Sequence, residues 1–111
     1  MRNRTTQAIA ILLVLAAACA STPQQKELQY AQAIITTNDS TAQAVDFGII
    51  DPDTAEAIQA ITRTATADLK RAVAARRAGR SPESYDRILS IVRDALLEAS
   101  RILEARQKRS T

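Results

Sequence analysis

Three stretches of the chain repeat apolar residues at spacings of three and four, and a fourth, at the start, is apolar without a break. In the first periodic stretch Leu28, Ala31, Ile35, Asn38, Ala42, Val45 and Ile49 alternate steps of three and four, which is the seam of a heptad helix. Asn38 is its polar member. Thr36-Thr37-Asn38-Asp39-Ser40 reads as a weak, solvated or kinked part of that helix, because such side chains compete for backbone hydrogen bonds. The other reading is a buried Asn38 that fixes register and partner number. In the second stretch Ala55, Ile58, Ile61, Ala65, Leu69, Ala72 and Val73 fall on one stripe. The third has the broadest stripe: Tyr85, Ile88, Leu89, Val92, Ala95, Leu96, Ala99, Ile102 and Leu103. No stretch alternates with the period of two that a strand needs.

The breaks between these stretches are chemically marked. Gly48 and Gly79, the two glycines, stand where the first and second helices should end in a left-handed cap. The three prolines, Pro23, Pro52 and Pro82, each stand at a first helical position, where a missing N–H costs nothing. Thr22, Asp51 and Ser81 precede them as N-caps. Asp51, Asp53 and Glu56 open the second helix, and Lys70, Arg71, Arg76 and Arg77 close it, an arrangement that complements the helix dipole. Glu83 with Arg87 and Glu104 with Lys108 are spaced to pair along the third helix. Helices of about 25 residues span roughly 38 Å at 1.5 Å per residue. Connections this short make neighbours antiparallel. The pattern predicts an all-α, up-down-up three-helix bundle over residues 25–107, with the last helix fraying near Gln107 into a basic tail at 108–111.

The unbroken apolar stretch is of another kind. Arg2 and Arg4 form a basic head, Ala8 to Ala18 follow without a charge, and small residues surround Cys19. A basic head, an apolar run of this length and a small-residue exit form an export signal. The run is shorter than the roughly 20 residues a helix needs to cross a bilayer. Residues 1–18 are therefore expected to be a leader, with 19–24 a short linker. Cys19 is the sole cysteine, so an internal disulfide is excluded and an exported odd thiol needs a role.

Leu15-Ala16-Ala17-Ala18-Cys19 resembles the lipobox of bacterial lipoproteins. The family's Leu stands three residues before the Cys, whereas here Ala16 occupies that place and Leu15 precedes it. The resemblance covers the first 19 residues. It implies a diacylglyceryl group on the Cys19 thiol, cleavage just before it, and a protein tethered to a membrane by its acyl chains. Since the family's retention signal is Asp after the Cys, Ala20 implies the outer membrane of a Gram-negative cell, facing the periplasm. The alternative is ordinary export, with Ala18-Cys19-Ala20 read as the cleavage site.

Composition narrows what the bundle can do. The 15 Lys and Arg residues, less Arg2 and Arg4 in the leader, leave 13 against 12 acidic residues, so the excess of positive charge nearly vanishes and nothing points to nucleic acid. There is no His, no second Cys and no Gly-rich phosphate loop, which removes the commonest general base, thiol nucleophile and nucleotide cradle. Asp94 and Glu98 share a helix face, but Arg93 and Arg101 neutralise them; Ser81 reads as a cap. No enzyme activity, metal or cofactor is expected.

The expected role is that of a membrane-anchored lipoprotein presenting helices to a protein partner, or to a second copy of itself. Ile91 and Leu97 lie off the third stripe and are candidate partner contacts. With the first helix climbing from the membrane, the second returns Arg76, Arg77 and Arg80 toward it, either as a basic loop suited to anionic headgroups or as a solvated cluster that matches the helix dipole. In size, lipobox and helicity the chain is also similar to phage and prophage outer-membrane spanin subunits, although their Pro-rich body is missing. A soluble periplasmic binding or inhibitor module follows if Cys19 is not acylated.

Overall fold

The computed structural model describes the backbone of residues 22–110 and the side chains of residues 22–106. The leader, Cys19 and the first linker residues lie outside the described residues. Three helices follow in order: α1, Pro23–Asp46; α2, Pro52–Arg77; α3, Pro82–Ser110. They form an up-down-up bundle measuring 47 × 25 × 16 Å, with no strand among the described residues. The most extensive packing is between α2 and α3.

The helix boundaries follow from local chemistry. Thr22 caps α1 in a reciprocal box: its hydroxyl accepts from the Gln25 N–H at 3.3 Å, and its own N–H donates to Gln25 Oε1 at 3.1 Å. Asp51 caps α2 by accepting from the Thr54 N–H at 2.7 Å, and this bond is the main reason its carboxyl is held below the usual range. Ser81 Oγ accepts from the Ser84 N–H at 3.2 Å at the start of α3. At the other ends, Gly48 and Gly79 take φ of 69° and 72°. The N–H of Ile49 then reaches the Ala44 carbonyl and that of Arg80 reaches Ala75, closing a six-residue Schellman turn at each corner. The third helix continues to Ser110, beyond the expected fraying at Gln107; no Gly or Pro follows Gly79 and Pro82 to stop it.

The second and third stripes face the core as their periodicity requires. Ala55, Ile58, Ala65, Leu69 and Ala72 are buried on α2, and Tyr85, Leu89, Val92, Leu96, Ala99 and Leu103 on α3. The first stripe does so only in part, through Ala31, Val45 and Ile49, which are half-buried against the core. Leu28 and Ile35 are 60% and 59% exposed, and Asn38 and Ala42 are also exposed. The face that α1 buries is Tyr30, Ala33, Ile34, Thr37, Ser40, Thr41 and Ala44. Its threonines enter the core because their hydroxyls are satisfied within the helix. Thr37 donates to the Ala33 carbonyl at 2.8 Å and Thr41 to the Thr37 carbonyl at 2.7 Å, leaving their methyls to pack. Nor does α1 break at Asn38. That side chain accepts a 2.8 Å hydrogen bond from Thr62 of α2, so it links two helices at the surface of the bundle.

The core accordingly has two apolar parts. One gathers Tyr30, Ile34, Leu69, Tyr85, Leu89 and Leu96 with their neighbours, toward the end where α1 begins. The other gathers Ala44, Ile50, Ile58 and Leu103 toward the far end. Along α1 and α2, Thr37, Thr41 and Thr62 fall between them, all buried.

Candidate functional site

The end of the bundle where α1 begins, α2 stops and α3 restarts combines charge with apolar surface. Its centre is Glu27 on α1. Arg76, from the last turn of α2, grips this carboxylate with two hydrogen bonds, Nε to Oε2 at 2.6 Å and NH2 to Oε1 at 2.9 Å. Tyr85, from the first turn of α3, donates its hydroxyl to Glu27 Oε2 at 2.7 Å and lies 3.1 Å from the Pro23 carbonyl oxygen. One carboxylate thus ties all three helices together. The bonds from Arg76 lower the Glu27 pKa, against the opposing effect of burial, and the Tyr85 bond adds to the lowering. Burial, and then the bond to this carboxylate, push the Tyr85 phenol well above its ordinary value.

This arrangement separates the three arginines expected to act together. Arg76 is half-buried and neutralised by Glu27, whereas Arg77 and Arg80 are exposed. Lys70, also exposed, stands two turns before Arg77 on α2. Among the described residues, none of these three exposed cations forms an ion pair with an acidic side chain. Arg71 does, through a 2.7 Å bond to the nearly buried Asp68. The expected pair of Glu83 and Arg87 is not formed either.

Two grooves flank the last turns of α2. The larger, about 890 Å³, lies between α1 and α2, with Leu28, Ala31, Leu69 and Val73 among its apolar walls and Lys70 and Arg77 at its rim. The smaller, about 320 Å³, lies toward α3 beside Ala75 and Ile88, with Arg71 and Arg80. Of the two candidate partner contacts on α3, Ile91 is 45% exposed, while Leu97 is half-buried against the core. Among the described residues, Leu28, Ile35 and Phe47 are the other large apolar side chains left exposed.

Among the described residues no group of three or more acidic or thiol side chains is placed to hold a metal ion. No described helix is long and apolar enough to cross a membrane. Comparison with protein-family models, curated proteins and solved structures finds no match to this chain.

Proposed function

We propose that the protein is a non-catalytic lipoprotein, acylated at Cys19, that holds a small helical bundle at the periplasmic side of the outer membrane and offers its surface to a protein partner. The observation that carries the reading is the contrast between a bundle closed by its own caps and core and the large apolar side chains it leaves outside. Leu28, Ile35, Phe47 and Ile91 are each 45% exposed or more. Leu28 and Ile35, seven residues apart, share one face of α1, and an apolar face left outside a small domain favours contact with another protein. The lipobox-like stretch supplies the anchor. The first helix is capped at Thr22, three residues after Cys19, so little slack separates the acyl chains from the bundle. In that orientation Arg77 and Arg80 face the bilayer, where each exposed cation contributes about 1 kcal/mol near an anionic surface.

Fatty-acid labelling and fractionation test the anchor, and a photo-crosslinker at Ile91 tests the partner. Wild type takes up label and sediments with membranes, whereas Cys19→Ala does neither. Crosslinking at Ile91 yields a discrete adduct, to a partner or to a second copy. An unlabelled wild type, or a crosslinked product no different from that at the polar surface position Arg87, contradicts the reading.

A further inference from the structure

The groove between α1 and α2 has features that general stickiness does not require. Its walls are largely apolar and include Leu28, which the bundle leaves 60% exposed. The wall on α2 runs from Leu69 to Ala78, roughly 13 Å of helix. Its volume, about 890 Å³, falls within the range of small-molecule sites. The rim carries Lys70 and Arg77. The one carboxylate beside it, Glu27, is already neutralised by the two-pronged bond from Arg76 and the hydroxyl of Tyr85. The rim is therefore net cationic over an apolar floor, a pattern complementary to one kind of molecule: an anionic head on an alkyl chain. Gln24, in the first turn of α1, is also part of the lining, so the groove reaches the end of the bundle where α1 begins.

We propose that this groove takes one acyl chain of an anionic bilayer phospholipid, with Lys70 and Arg77 against its phosphate and Leu28, Leu69 and Val73 against its hydrocarbon. This rests on the reading that the end where α1 begins faces the membrane. It changes the character of the docking. Screened surface charge would hold the bundle loosely, because headgroup attraction fades within a Debye length of about 8–10 Å. A chain seated in the groove fixes one rotation of the bundle about its axis, and with it the direction in which the partner-facing side of α3 points.

The chain lacks Trp, so a single introduced indole reports its own surroundings. Full-length Leu28→Trp, Ile35→Trp and Phe47→Trp proteins are mixed with vesicles of phosphatidylglycerol brominated along the acyl chain, and with phosphatidylcholine vesicles brominated likewise. All three positions are well exposed, so the substitutions leave the core alone. The expected result is a blue-shifted Leu28→Trp emission, quenched severalfold more strongly than Ile35→Trp and with Phe47→Trp unaffected. Quenching is stronger with phosphatidylglycerol and falls severalfold when Lys70→Glu and Arg77→Glu are added. Co-sedimentation with vesicles but no quenching of the Leu28→Trp indole overturns the groove and leaves the anchored orientation standing. Equal quenching at positions 28 and 35 means that α1 lies flat on the lipid and also overturns it. Equal quenching in the two lipids removes the anionic occupant. Preferential quenching of Phe47→Trp contradicts the orientation itself.

Discussion

Glu27 is the residue on which the closed end of the bundle depends, and its titration makes that dependence measurable. Its pKa is depressed in the folded protein from an ordinary value near 4.5, chiefly by hydrogen bonds from Arg76. A depressed carboxyl binds fewer protons when folded than when unfolded. Its contribution is therefore complete above about 4.5 and is lost as pH falls through the lower, folded pKa. Glu27→Gln removes the charge and should cost about 2 kcal/mol at neutral pH, since it leaves a half-buried guanidinium without its partner. Urea unfolding of both proteins at about pH 7 and about pH 3 checks the sign: the gap is widest at the higher pH and narrows at the lower, which lies below the ordinary carboxyl value near 4.5. A gap independent of pH would mean that the Arg76 contact carries no charge-dependent energy. Nothing in the spacing of residues foretold this cluster. Glu27 and Arg76 are 49 positions apart, and sequence periodicity reports which face of a helix is apolar, not which charges meet across two of them.

At the scale of the element, α2 and α3 were legible and the face of α1 was not. The α2 and α3 stripes are written in Ile, Leu, Val and Ala, so period and burial agree. On α1 the bulky Leu28 and Ile35 draw a seam around the wrong side, because Thr37 and Thr41 look polar in the sequence yet satisfy their hydroxyls on their own helix. The line Tyr30, Ile34, Thr37, Thr41 and Ala44 also steps by four and three, so counting Thr as half-apolar would have found it. The helix ends were legible for a different reason: Thr, Asp, Ser, Pro and Gly act over a few residues, where no distant contact overrides them. Two neighbouring isoleucines test the rotation of α1. Ile34→Ala should destabilise the bundle by about 2–3 kcal/mol through a lost core contact, whereas Ile35→Ala should change it by less than about 0.5 kcal/mol. The exposures are 7% and 59%. The reverse ranking in chemical denaturation would restore the Leu28–Ile35 seam.

At the scale of the whole bundle, the described residues form a rod 47 Å long whose two ends differ. One end carries the start of α1, the Glu27 cluster, the cationic groove and the exposed Arg77 and Arg80. The other carries the α1–α2 corner with Phe47, 67% exposed, and the last turns of α3. The proposed anchor gives this polarity a direction. Under that proposal the basic loop would lie at the anchored end, and Ile91, the proposed partner contact, along the side of the bundle. All of this depends on the chemistry at Cys19, which the sequence suggests through a short local pattern. Intact mass and N-terminal peptide analysis of the protein recovered from cells measure it directly. The expected product begins at Cys19 and carries the added mass of a diacylglyceryl group on its sulfur, with or without an acylated amine. A processed protein beginning after Ala20, or one retaining Cys19 as a bare thiol, would contradict the account.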